Sequence, residues 1–409
     1  MFERNHQIIV GLEIGTSKVC AVVGELNDNG VLSIIGLGQA KSRGVRKGEI
    51  TDLDAAGEDA RAALTEAETY AGAEIRSVVL GITGNHVSGL NNRGSHPIVS
   101  VDRLIADEDI QDVIRNAKAI NIPPDNQVLH AIRQHFTVDG HTGVANPRDM
   151  AGSRIDVDMH VIHGKASRIE NPIRVVKGLQ LDVDAVAFTG LASSLALLSA
   201  EQKEMGAIVV DIGGGTTGYA VYCKGIIKHT GVIGVGGDHV SNDLAYGLQI
   251  PLNQAETMKI AHGAALMDDS VRGKSVTLPG SAGMPVRVVN LENLRRIMSV
   301  RLEEIFELVA RDLAKHRLLS QVRAGVVLCG GGSRIPGIAE LASHVFGLQV
   351  AVGQTTTING LSQALEQPEF ATAIGLVKFG SFQARTKRRG LFGSLPRKLG
   401  DLFGGKFSR

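Results

Sequence analysis

The chain has 409 residues, a formal charge of +1 and 43% hydrophobic content, so it is too long for one core and is expected to form at least two soluble α/β domains. Only 4% of residues are aromatic and there is no tryptophan, which argues against base-stacking surfaces and leaves no nucleic-acid partner expected. Three scattered cysteines without C-x-x-C spacing (Cys20, Cys223, Cys329), a start unlike a signal peptide and no apolar run of bilayer length argue against a disulfide scaffold, secretion or a membrane span.

In chain order, residues 8–24 and 31–37 read as strands, the first run broken by the turn in Val10-Gly-Leu-Glu13-Ile-Gly15-Thr16-Ser17-Lys18. Residues 51–73 predict a helix with Leu53, Ala60 and Leu64 facing inward, followed by a buried strand at 77–82. From 85 to 163 the character changes to short strands (128–132, 136–138, 157–162), one helix near 107–120 and a turn-rich loop at 139–152. A helix (169–178), a strand (183–188) and a helix start (191–198) lead to a second turn of the first kind, Val209-Val-Asp211-Ile-Gly213-Gly214-Gly215-Thr216-Thr217-Gly218. A further insertion spans about 238–323 and holds a long helix, 291–318. The strand 324–329 then enters Gly330-Gly331-Gly332-Ser333-Arg334-Ile335-Pro336-Gly337, with Pro336 expected in the first turn of a helix facing inward through Ile338, Leu341 and Val345.

The two matched turns share a chemistry. Each combines strand, carboxylate, backbone N–H groups free of a Cβ and a hydroxyl, which suits a polyphosphate and its Mg²⁺. The third glycine cluster, between a strand and a helix start, lets a flat ring or phosphate approach closely. Glu256 and Lys259 lie three apart on one helix face, where a carboxylate would accept ribose hydroxyls and the lysine would face a base. Each turn alone is also an ordinary tight turn, and Glu256–Lys259 alone an ordinary surface pair. The ordered set points to a nucleotide. G-x-x-x-x-G-K-[ST] does not occur, so a P-loop is excluded. Among His130, His135, His141, His160 and His163 no cysteine and no compact ligand spacing supports zinc.

The ordered motifs resemble those of the actin/Hsp70/sugar-kinase ATPases. Within them the chain is similar to the bacterial FtsA cell-division family, through Gly11–Val19, Ser42-Arg-Gly44, Gly190-Leu-Ala-Ser-Ser194, Val209–Thr216, Ala255-Glu-x-x-Lys259 and Ala373-Ile-Gly375. The resemblance implies a duplicated actin-like (ribonuclease H-like) fold around a nucleotide cleft. Its first half would be 1–84 with 164–204, carrying an insertion at 85–163. Its second half would be 205–237 with 324–380, carrying an insertion at 238–323. It implies ATP held by Gly15, Thr16, Ser17, Lys18, Gly213, Gly214, Gly215, Thr216 and Thr217 at the phosphates, and by Glu256, Lys259, Gly331, Gly332, Ser333 and Arg334 at the adenosine. Glu13 and Asp211 would hold Mg²⁺, through waters. Glu13 stands where most of the superfamily has Asp, and Gly218 where an Asp is common; slow or no hydrolysis is therefore expected. The resemblance also implies self-polymerisation, binding of the C-terminal peptide of the tubulin-like protein FtsZ near Arg301 and Glu304, contacts with later division proteins, and a place on the cytoplasmic side of the inner membrane at the division site. A sugar kinase and a pilus-assembly adaptor of the same superfamily are the competing readings.

Charge is uneven. Residues 381–409 carry eight Lys/Arg against one Asp, a net of +7, leaving −6 for the rest. Residues 381–390 read as a flexible basic linker. At about 100° per residue, Leu391, Phe392, Leu395, Leu399, Leu402 and Phe403 share one arc and the charged groups lie outside it, as in a helix lying on an anionic membrane. Gly393 and Pro396 leave two forms open, one helix from Leu391 or a helix from about Leu395 capped by Ser394 with Leu391-Phe392 as a separate wedge, and the competing reading is a terminal helix docked on the body.

Overall fold

The computed structural model describes residues 7–278, 286–355, 358–361 and 366–391. The chain begins with a meander, β1 (Gln7–Ile14), β2 (Lys18–Leu26) and β3 (Leu32–Lys41), followed by the short pair β4 (Val45–Arg46) and β5 (Glu49–Ile50), helix α1 (Leu53–Ala71) and β6 (Ser77–Ile82). The α1 start is set by Asp52, whose carboxylate accepts from the Asp54 and Ala55 N–H groups at 3.0 Å. Its end is set by Gly72, in the left-handed region at φ 60°. The helix presents Ala56, Ala60, Ala63 and Ala67 to β3, where a side chain at Gly38 would stand 2.0 Å from the Ala63 carbonyl. Leu53, expected inside, is instead 45% exposed, because the first helical residue precedes the turn that meets the sheet.

Residues 88–165 form a separate four-stranded antiparallel sheet, in the order β7 (Ser88–Pro97), β10 (Arg154–Lys165), β8 (Asn126–Val138) and β9 (His141–Val144), packed on α2 (Asp107–Lys118). Strand β7 escapes sequence reading, since Ser-Gly-Leu-Asn-Asn-Arg-Gly has loop composition and is held extended by its ladder to β10. The two short strands expected at 128–138 are one, with register shifts in its ladder to β10. The chain returns through α3 (Ala166–Gly178), β11 (Asp182–Phe188), α4 (Thr189–Leu197) and α5 (Ala200–Met205).

A second meander follows: β12 (Ala207–Ile212), β13 (Thr217–Cys223) and β14 (Ile226–Ile233). After it come α6 (Gly237–Leu248), α7 (Leu252–His262), a small hairpin of β15 (Ser275–Leu278) and β16 (Arg287–Asn290), and α8 (Leu291–Lys315). The chain then forms β17 (Val326–Cys329), α9 (Ile338–Phe346), β18 (Val350–Val352), β19 (Asn359–Gly360) and α10 (Ala371–Leu391). Pro336 does not enter α9; Gly337, at φ 76°, breaks the path and the helix starts at Ile338. Its inward face is Ile338, Leu341, Ala342 and Phe346, with Val345 only partly covered.

Two sheets repeat one plan. In the first, β3, β2 and β1 are antiparallel neighbours and β6 and β11 continue in parallel; in the second, β14, β13 and β12 are antiparallel and β17 and β18 continue in parallel. Strand β19 adds to the outer edge of β3. Helices α4 and α10 lie between the sheets, with α10 on β1 and α4 on β12 and β13. Their apolar contacts join Leu12, Leu191, Ile374 and Leu376 to Val209 and Ala220 of the second sheet in one core. This is a duplicated α/β fold of actin-like type.

Residues 381–390, expected as a flexible linker, are helical and continue α10. Between Ser381 and Gly390 stand Phe, Gln, Ala, Arg, Thr and Lys, with no Gly or Pro, and an already formed buried helix extends through such residues without a new nucleus. Arg385 donates to the Gly30 carbonyl, fastening this extension to the first half. Phe392, Leu395, Leu399, Leu402 and Phe403 lie outside the described residues, and Leu391 is the last of them.

Candidate functional site

The two glycine turns meet. Gly15 closes β1–β2 by donating to the Lys18 carbonyl at 3.0 Å, and Gly213 closes β12–β13 by donating to the Thr216 carbonyl at 2.9 Å. A side chain at Gly214 would stand 3.1 Å from Ser17 Cβ, and one at Gly215 would stand 2.6 Å from Thr16 Oγ1 and 2.7 Å from Lys47 Cα. Glycine is required by this edge-to-edge approach. Thr16 Oγ1 accepts from the Gly48 N–H at 2.9 Å, which ties the first turn to the β4–β5 connection.

The second turn is oriented from behind. Its Gly213 and Gly214 carbonyls accept from the Gly237 and Asp238 N–H groups at 2.9 and 2.8 Å, so the start of α6 is built onto them. Among the described residues, the Gly214 and Gly215 N–H groups have no hydrogen-bond partner. Those N–H groups and the bare Cα edges are the features an anion needs. Thr217 has a different job: it is fully buried, and its hydroxyl donates to the Val235 carbonyl at 2.8 Å, so it braces the turn from inside.

Behind the turns stand the two carboxylates. Burial, and then the neighbouring Asp211 charge, push Glu13 up to about 8, with Lys18 opposing. Burial also raises Asp211, against a 2.7 Å hydrogen bond from Thr372 and the Lys18 charge. Lys18 itself lies 4.1 Å over the Phe370 ring. Two crowded carboxylates with one shared ammonium are short of positive charge, and a divalent cation would supply it. The residues fit Mg²⁺. Gly218 opens onto free space, so the position where the superfamily often carries a further carboxylate has room for one and has none.

The third cluster packs on the same strand. Gly330, at φ 80°, approaches so closely that a side chain there would stand 2.3 Å from Asp211 Oδ1, and one at Gly332 would stand 2.4 Å from Ile212 Cγ2. Ser333 is buried and donates to the Gly330 carbonyl at 2.7 Å, holding the turn. Arg334 pairs with Glu369 at 2.5 Å and is 61% exposed. On α7, Lys259 pairs with Glu256 at 2.6 Å and donates to the Gly237 carbonyl at 3.1 Å, while Glu256 accepts from Ser241. The α7 pair thus reaches the α6 start that carries the second turn.

Several residues at this junction were not singled out from sequence: Lys47, Gly48, Gly236, Gly237, Asp238, Glu369 and Thr372. Burial raises Asp238 against the pull of Lys259, and its carboxylate comes within 3.2 Å of where a Gly214 side chain would be. The glycine pair before Asp238 was the available signal, since a side chain at Gly236 would collide with the Gly213 carbonyl at 2.5 Å.

Arg301 and Glu304 lie on α8, and the Arg301 charge reaches His239 in the first turn of α6, the helix built onto the second glycine turn. Arg301 pairs with Asp243 of α6 and with Glu304, each at 2.5 Å, and is 26% exposed. Of the five histidines singled out in the insertion, three are buried and apart: His130 accepts from the Phe188 N–H at 3.0 Å, His160 meets Asn91 at 2.8 Å, and His163 meets Asn126 at 2.8 Å, while His135 is half-buried and His141 exposed.

Comparison with known proteins agrees with this geometry. Residues 208–375 match the family model described as cell division protein FtsA, and residues 84–163 match the SHS2 domain inserted in FtsA. The chain is 40% identical over 377 residues to the cell division protein FtsA of Neisseria meningitidis serogroup B, covering 92% of this chain and 90% of that protein. The chain belongs to the FtsA family. Its likeness to FtsA of Escherichia coli K12 is 36% over 383 residues, with 92% and 91% covered. Among solved structures, this FtsA-family chain resembles the PilM–PilN type IV pilus biogenesis complex (TM-score 0.66, 18% identity, 91% and 98% covered). It also resembles MreB5 of Spiroplasma citri bound to ADP (TM-score 0.56, 16% identity, 95% and 99% covered). The actin-like fold and a cell-division role follow.

Proposed function

We propose that this FtsA-family chain binds ATP with Mg²⁺ between its two halves, self-assembles, and holds the FtsZ C-terminal peptide at the cytoplasmic face of the inner membrane, where later division proteins join. One observation carries the nucleotide reading: two glycine turns in contact, with the Glu13 and Asp211 carboxyls behind them close enough for the Asp211 charge to act on Glu13. Gly15, Thr16, Ser17, Gly213, Gly214, Gly215 and Thr216 would hold the phosphates; Glu256, Lys259 and the Gly331–Arg334 turn would surround the adenosine. Mg²⁺, when bound, would shield phosphate charge. The residues around it orient and bind more than they activate water, since no carboxylate stands at Gly218.

Membrane attachment rests on the sequence of the tail. Burying four of its apolar side chains yields about 1.5–3 kcal/mol each, and ordering roughly ten residues opposes this at about 1–2 kcal/mol apiece. A single tail holds weakly; an assembly of linked copies holds firmly. Among the described residues no helix is long and apolar enough to cross a membrane, and a surface helix needs none. Co-sedimentation of the full chain with anionic vesicles, with and without ATP and FtsZ peptide, tests the reading. Vesicle binding that rises with assembly and carries the peptide down supports it; a protein left in the supernatant under all conditions overturns it.

A further inference from the structure

Three side chains, His229, Asp312 and His316, converge where β14 meets the C-terminal end of α8. His229 Nε2 lies 2.7 Å from Asp312 Oδ2. The His229 and His316 rings stack with centroids 4.2 Å apart at 35°. One ligand atom from each of His229, Asp312 and His316 falls within 4.8 Å of the other two. Ligands bound at about 2.0–2.1 Å around a tetrahedral ion sit roughly 3.3 Å from one another, a separation that atoms within 4.8 Å of one another reach with small side-chain adjustments.

The spacing along the chain is suited to it. Asp312 and His316 are one helical turn apart, so they project from the same face at the end of α8. His229 comes from the neighbouring strand and is buried, while His316 is exposed. Behind the ligands is a second layer: Tyr219 donates to Asp312 Oδ2 at 2.6 Å and so fixes the carboxylate. Tyr219 is itself seated against Gly231, where a side chain would stand 2.2 Å from its hydroxyl. Two imidazoles and one carboxylate, with an open side toward solvent, match a borderline transition ion better than Mg²⁺ or Ca²⁺.

We propose that His229, Asp312 and His316 form a zinc-class metal site, with water in the fourth position, that staples the β14 strand to the end of α8. The neighbouring residue Thr230 meets His160 of the inserted sheet at 2.9 Å. A metal here therefore braces the point where the second half, its long helix and the insertion come together. It is independent of the nucleotide reading.

The test uses the full chain stripped with chelator and freed of any affinity tag. Calorimetric titration with Zn²⁺, with Mg²⁺ kept in excess to occupy the Glu13–Asp211 pair, is expected to give one equivalent per chain and a higher thermal midpoint. Co²⁺ is expected to give the visible absorption of a four-coordinate ion. His316→Ala, at an exposed position whose loss leaves the fold intact, should weaken Zn²⁺ by roughly 10–100-fold or more while leaving ATP binding unchanged. His229→Gln should do the same. Zn²⁺ uptake equal in the parent and His316→Ala, or no uptake by the parent, overturns the site. Neither result bears on ATP, which is measured separately.

Discussion

Glu13 and Asp211 are held where their charges oppose each other, and this has a pH consequence. Glu13 in the folded chain titrates near 8 against an ordinary value of 4.5. Below about pH 4.5 both folded and unfolded chains keep the proton, and nothing is lost. As pH rises from 4.5 toward 8 the unfolded chain ionises first, so stability falls across that window by about 1.4 kcal/mol per pKa unit at most. Glu13→Gln is expected to raise the thermal midpoint at pH 8 and to leave it little changed at pH 4.5, as scanning calorimetry without nucleotide would show. Added Mg²⁺ with ATP should stabilise the parent more than this variant. Asp211→Ala is expected to weaken ATP by about tenfold or more, measured by calorimetry; unchanged affinity would remove Asp211 from the site.

At the level of elements, the junctions are backbone against backbone. A methyl group at Gly215 has no room between Thr16 Oγ1 and Lys47 Cα, so Gly215→Ala should separate the two turns and reduce nucleotide affinity while the rest of the fold persists. Helices α4 and α10 cross closely, so that a side chain at Gly375 would stand 1.9 Å from the Ala192 carbonyl. Gly375→Ala is therefore expected to cost about 1–3 kcal/mol or more in urea unfolding, as overpacking does. Gly57 in α1 is the contrast: a side chain there meets nothing within 4 Å. Gly57→Ala should be neutral or stabilising by up to about 1 kcal/mol. If both alanines behaved alike, helix propensity rather than the crossing would govern α10.

For the whole molecule, the proposed membrane attachment depends on how the C-terminal helix leaves the fold. Helix α10 starts in the core between the two sheets and runs out through residues 381–391, with Arg385 fastened to Gly30. The tail thus begins on a stiff helical exit and not on a loose linker. Removal of residues 391–409 is expected to abolish co-sedimentation with anionic vesicles and to leave ATP affinity unchanged, because the truncation begins beyond every residue of the glycine turns. Vesicle binding that survived the truncation would place the attachment elsewhere.

Much was legible in the sequence because it is local. The Glu13–Lys18 and Asp211–Gly218 segments are strand–turn–strand units by composition alone, and repeated motifs announce a duplicated α/β fold. Buried runs such as Ser77–Ile82 show their strand character directly. Residue chemistry also singled out Glu256 and Lys259 as a pair, which they form. Tertiary structure decided the rest. Strand β7 is extended only because β10 holds its ladder, and Thr217 and Ser333 spend their hydroxyls on Val235 and Gly330 carbonyls that no spacing rule brings near. The same holds for Asp238, Thr372 and the His229–Asp312–His316 cluster, in which β14 brings His229 to the end of α8. A turn is set by its own backbone preferences, whereas a carboxylate's charge state and a hydroxyl's partner are set by whatever the fold packs against them.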